Sequence, residues 1–126
     1  MTTTQPLYAL LIAPDQKLRN DVLAGKKKIT IRQGYKDCKP GPAMICCHLK
    51  PWAVMVDITS VRYCKLSELT EQEFTADGSK TIDEVLEKLR KYYPDLELSS
   101  PVTVISWDNV RGKLVDDYRA RDVSED

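Results

Sequence analysis

Five short runs rich in apolar and β-branched residues, at 7–13, 26–32, 43–49, 52–63 and 102–110, leave room for only short helices in a chain of 126 residues. So many strands in so small a chain expose sheet edges, and curling the sheet towards a barrel removes them. The runs differ in character. "KKKITIR" alternates, with Ile29 and Ile31 on one face and Lys28, Thr30 and Arg32 on the other. "AMICCHL" is a compact apolar run suited to burial. "WAVMVDITSVRY" has the β-branched content of an antiparallel partner for it, joined through Lys50-Pro51.

Helical signals fall between the strands. Asp15 is placed to cap a helix that Gly25 stops. "LSELTEQEF" reads as a short helical turn, and "ADGSK" as a loop. Thr81 and Glu84 have capping-box spacing. Ile82, Val85, Leu86, Leu89 and Tyr93 then form one stripe before Pro94. The expected fold is α+β: a curled sheet of about five mostly antiparallel strands with two or three helices. One domain is expected over residues 1–110, followed by a charged tail over 111–126.

Nineteen basic and nineteen acidic side chains cancel, so net charge makes no case for nucleic acid. Their distribution says more. Residues 17–50 carry nine Lys or Arg against Asp21 and Asp37, whereas residues 66–97 lean acidic. A neutral chain with a basic face is implied. No run approaches the ~20 apolar residues of a membrane span, and "MTTTQ" lacks the basic start of a signal peptide. A cytoplasmic location without membrane contact is expected, with Cys38, Cys46, Cys47 and Cys64 as reduced thiols. Cys46, Cys47 and His48 alternate in direction on a strand, which argues against a metal site there.

The stretch "NDVLAGKKKITIR", with "KPG" after it, resembles the Gly-x-Lys-x-x-x-x-Arg signature of the ASCH domain, a small barrel of the PUA-like group. It is similar, more narrowly, to the small bacterial N(4)-acetylcytidine amidohydrolases. The likeness resumes in "LSELTEQEFTADGSKTIDEVLEKLRKYYPD" and spans roughly residues 15–108. The resemblance implies a PUA-like (ASCH) barrel and a metal-independent amidohydrolase with no cofactor. It implies a lysine as proton acceptor, a threonine as nucleophile and an acid as proton donor. These roles fall on Lys27, Thr30 and Asp77 when the loop is aligned from its N-terminal side. Counting back from Tyr93-Pro94 puts Gly78 at the acid's place instead, and Glu73 is a nearby substitute.

The chemistry is coherent on its own terms. A threonine hydroxyl needs a base to withdraw its proton. A lysine is that base only as the neutral amine, which burial and nearby like charges favour. Lys26 and Lys28 flank Lys27, and with Arg32 they are the expected substrate-binding cations. In a regular strand Lys27 would point away from Thr30 and the two could not meet, which would end the hydrolase reading; at the strand entry after Gly25 the alternation need not apply. Plainer readings stand beside these: lysines as a solvated helix end, Thr30 as a strand former, Arg32 as an ion-pair anchor, and Asp77 before Gly78 as turn chemistry. Two functions follow: an enzyme deacylating N(4)-acetylcytidine or a related nucleoside, or a PUA-like module that holds RNA or a modified nucleotide without turnover. An ASCH-type ribonuclease ranks last, because His48 has no histidine partner. The expected partner is a modified cytosine nucleoside or RNA, and the expected state a monomer or weak dimer.

Overall fold

The computed structural model describes residues 8–13, 15–47 and 51–115. Five strands form one sheet: β1 (Tyr8–Ile12), β2 (Ile29–Gln33), β3 (Gly41–Cys47), β4 (Trp52–Lys65) and β5 (Pro101–Val115). Helix α1 (Gln16–Leu23) joins β1 to β2; α2 (Glu71–Ala76) and α3 (Ile82–Leu89) lie between β4 and β5. The spatial order is β1-β3-β4-β5-β2. Only the β1–β3 pair is parallel. The result is an α+β half-barrel.

The curl has a physical cause. β4 and β5 are long, and their pairing shifts register between Ala53 and Met55, Met55 and Asp57, and Ile58 and Ser60. Each irregularity bends and twists the ladder. Asn109 adopts φ 60 at this bend. Asn tolerates the left-handed region because its short polar side chain finds local partners; here Asn109 Nδ2 donates to Asp57 Oδ2 at 2.8 Å. β5 also runs to Val115, with Trp52 opposite Val115 and Met55 opposite Arg111. Residues 111–115 are therefore strand rather than the start of a tail; their β4 partners begin at Trp52, where the sequence already reads as strand. The remainder of the expected tail, like His48, lies outside the described residues.

Two apolar clusters flank the sheet. Leu10, Ile45, Val54, Val56, Ile105 and Trp107 form one, together with Val22 of α1. Ile29, Ile31, Leu66, Val85, Leu96 and Val104 pack between the sheet and α3. The alternation of β2 thus holds: its isoleucines join the cluster under α3, and Thr30, opposite Ile105, shares the face of the first cluster. The caps hold as well. Asp15 Oδ1 accepts from the N–H groups of Lys17 and Leu18. Thr81 accepts from the Glu84 N–H at 3.1 Å, while the Glu84 carboxylate accepts from Lys80 rather than closing the box on Thr81. Helix α3 stops at Leu89, four residues short of Tyr93. Arg90 caps it and sends Nε to the Leu96 carbonyl at 2.8 Å, and the residue before Pro94 disfavours helix. The "LSELTEQEF" stretch is a 3-10 turn at Leu66–Glu68 followed by α2, capped by Thr70 and Glu73 in a reciprocal box. Among the described residues no helix is long and apolar enough to cross a membrane.

Candidate active site

The sheet's two ends, β1 and β2, do not pair with each other among the described residues. A side chain spans the seam instead: Arg32 Nη2 donates to the Leu11 carbonyl at 2.9 Å. A cavity of about 400 Å³ opens here. Leu11, Ile12, Ala13 and Leu18 form one side, and Thr30 and Arg32 another. Lys27 and the end of α3, with Leu89, Tyr92 and Tyr93, complete it. The lining is mostly apolar with a few convergent polar groups, the usual character of a small-molecule site.

Two helix ends build the polar part. After α1, Gly25 takes φ 76. Its N–H donates to the Val22 carbonyl, and those of Lys26 and Lys27 donate to Asp21. This Schellman cap reverses the chain and sets Lys27 ahead of β2, outside the strand's alternation. The same device ends α2: Gly78 takes φ 90, its N–H meets Thr75, and that of Ser79 meets Phe74. Asp77 is the capping residue. The two caps meet, with Lys27 Nζ 2.7 Å from Asp77 Oδ1. Both side chains are largely buried, 19% and 13% exposed. An acid at a helix C-terminus faces the negative end of the dipole, so Asp77 gains its place from Lys27 rather than from the helix.

Thr30 lines the same cavity and accepts from Arg32 Nε at 3.1 Å. Its hydroxyl oxygen is thus oriented, and its own proton is directed elsewhere. Arg32 is fixed at both ends, on Thr30 and on Leu11. Lys26 and Lys28 are not in the cavity lining; Lys26 is exposed, and Lys28 Nζ lies 3.2 Å from Asp108. The Asp108 carboxyl is held below its usual range, first by the Asn109 N–H and then by Lys28. Of the two positions at this cap, Gly78 bears the turn and Asp77 the carboxylate. Glu73 is occupied elsewhere: Arg62 grips it with Nε at 2.7 Å and Nη2 at 2.6 Å. That grip, with help from Thr70, holds the Glu73 carboxyl below its usual range despite burial.

Tyr92 is the lining residue that sequence patterning leaves without a role. It falls outside the α3 stripe yet is aromatic, and it stands 65% exposed at the cavity. An exposed aromatic off the apolar stripe is the signal that finds it. Among the described residues no group of three or more His, Cys, Asp or Glu side chains is placed to hold a metal ion.

Three solved structures resemble the chain. The hypothetical protein PH0355 aligns with a TM-score of 0.56 and 24% identity, over 79% of this chain and 97% of its own. EF3133 from Enterococcus faecalis, a DUF984 protein, gives 0.63 and 13%, over 100% and 88%. A serine-to-alanine mutant of ZmASCH from Zymomonas mobilis gives 0.55 and 11%, over 93% and 82%. The fold is ASCH-like. No protein-family model matches the chain, and no curated protein does. In this fold the cavity sits at the seam between the edge strands, where β2 carries Thr30 and Arg32.

Proposed function

We propose that the chain is an amidohydrolase that removes the acyl group from N(4)-acetylcytidine or a related acylated cytosine nucleoside. The observation that carries this reading is Lys27, which lines a cavity together with Thr30 and, from behind that wall, is held 2.7 Å from the Asp77 carboxylate. In the proposed reaction a proton passes from Lys27 Nζ to Asp77 Oδ1 across their 2.7 Å contact. The Lys27 amine then takes the Thr30 hydroxyl proton as Oγ1 attacks the acyl carbon. The carbonyl electron pair moves onto oxygen. Arg32 stays charged, and its Nε, which donates to Thr30 Oγ1, stabilises the negative charge that develops on that oxygen as its proton leaves. As the C–N bond breaks, its electron pair goes to the exocyclic nitrogen, which receives the Asp77 proton and leaves as the amine of cytidine. Water repeats the sequence on the acyl-threonine: Lys27 receives its proton, and Thr30 leaves with the proton of Asp77.

The exposed ring of Tyr92 suits a pyrimidine stacked at the mouth. It suits equally the second reading, a module that holds RNA or a modified nucleotide without turnover. The two part on one experiment: release of cytidine from N(4)-acetylcytidine by the purified protein, with a metal chelator present. Turnover in the wild type that is lost in Lys27→Ala and in Thr30→Ala is expected. Binding of the nucleoside without turnover would establish the module instead.

A further inference from the structure

The row of residues through Arg32 continues across the sheet. Arg32 pairs with Thr103, and Thr103 with Tyr63. Cross-strand partners share a face, and neighbouring strands lie about 4.8 Å apart, so Tyr63 stands about 10 Å from Arg32 by backbone. Tyr35, just beyond β2, meets Tyr63 edge to face, with ring centroids 5.3 Å apart and planes at 70°. Both rings remain in solvent, 62% exposed for Tyr35 and 46% for Tyr63. With Lys36 and Asp37 they line a second, shallow cavity of about 390 Å³.

The backbone beneath the rings is pinned. The Tyr63 hydroxyl donates to the Lys36 carbonyl at 2.8 Å. The Lys36 N–H donates to Thr103 Oγ1 at 2.8 Å, and the fully buried Thr103 hydroxyl donates to the Gly34 carbonyl at 2.7 Å. Cys38 anchors the far side of the loop in the core. Two large rings gain little from folding where they stand. Held in one geometry, they present π faces at small entropic cost to a ligand. Lys36 lies exposed beside them, and Lys39, three residues on in the same loop, is exposed as well. Aromatic faces with adjacent cations are what single-stranded nucleic acid binds.

The geometry points to Tyr35 and Tyr63 as a stacking platform for a nucleobase adjoining the one in the seam cavity. The substrate class is then a single-stranded oligonucleotide that carries the acylated cytosine. The platform itself is independent of the hydrolase reading; the substrate class rests on it. Two fluorescently labelled single strands of one unmodified sequence, RNA and DNA, serve as probes for anisotropy titrations. Wild-type protein is expected to bind at least one. Tyr35→Ala is expected to weaken that binding about tenfold, at an unchanged melting temperature, and Tyr35→Phe to restore it. The strand that binds identifies the sugar. Failure of both strands to bind, or equal affinity in Tyr35→Ala and wild type, would overturn the platform. Binding lost in Tyr35→Ala beside a wild type that never hydrolyses N(4)-acetylcytidine would support the platform while overturning the hydrolase.

Discussion

At the scale of single residues, the candidate site includes a buried acid that its own helix does not favour. Asp77 lies at the wrong end of a helix dipole and buries a charge against Lys27. In the proposed reaction its carboxyl, once protonated, is the proton donor, so Asp77→Asn, which keeps the shape, should lower kcat by about a hundredfold or more with a smaller effect on KM. Steady-state kinetics on N(4)-acetylcytidine checks this. Tyr92 touches no reacting group in the account, so Tyr92→Ala should raise KM about tenfold and leave kcat near wild type. Arg62 and Glu73 are the contrasting case of a structural pair. The folded Glu73 carboxyl titrates below its unfolded value of about 4.3, chiefly through the Arg62 hydrogen bonds. Its contribution is therefore present above that value and disappears as pH falls through the folded one. Arg62→Leu should cost about 1 kcal/mol at pH 7, and the gap from wild type should close towards pH 3. Urea midpoints at the two pH values measure it.

At the scale of elements, glycine-capped helix ends decide where Lys27 and Asp77 sit. Gly25 and Gly78 both occupy left-handed backbone, which costs an L side chain about 1–2 kcal/mol. Gly25→Ala should destabilise by about 1 kcal/mol in urea unfolding, and turnover should fall further than that loss of folded protein explains, because Lys27 moves with the cap. Much of this was legible beforehand. Gly25, Asp15, Thr81 and the alternation of β2 each announce an element through one local rule. What escaped was set by tertiary partners. β5 looked complete at residue 110, since Arg111, Gly112 and Lys113 read as polar tail; pairing with β4 from Trp52 onwards makes them strand. The end of α3 shifted to Leu89 because Arg90 found the Leu96 carbonyl, a contact no periodicity encodes.

At the scale of the whole molecule, the half-barrel leaves a seam, and the seam is the cavity. Local patterns identify both edge strands but not that a guanidinium rather than a ladder spans them. For the same reason the three lysines looked alike in sequence, and only the fold separates Lys27 at the cavity from Lys28 at Asp108 and the exposed Lys26. The long β4–β5 pairing that curls the sheet should be sensitive to length. Ending the chain after Val110 removes the partners of Trp52, Ala53 and Met55, and a melting temperature lower by about 5 °C or more is expected, at roughly 4 °C per kcal/mol for a chain of this size. The central claim is that Lys27, Thr30 and Asp77, delivered by two helix caps and an edge strand, act as one catalytic unit. It is tested most directly by kcat for the three single alanine variants and the triple variant on N(4)-acetylcytidine. Groups acting as a unit are strongly non-additive, so the triple variant should be no slower than the slowest single one. Losses that multiply from variant to variant would contradict the account.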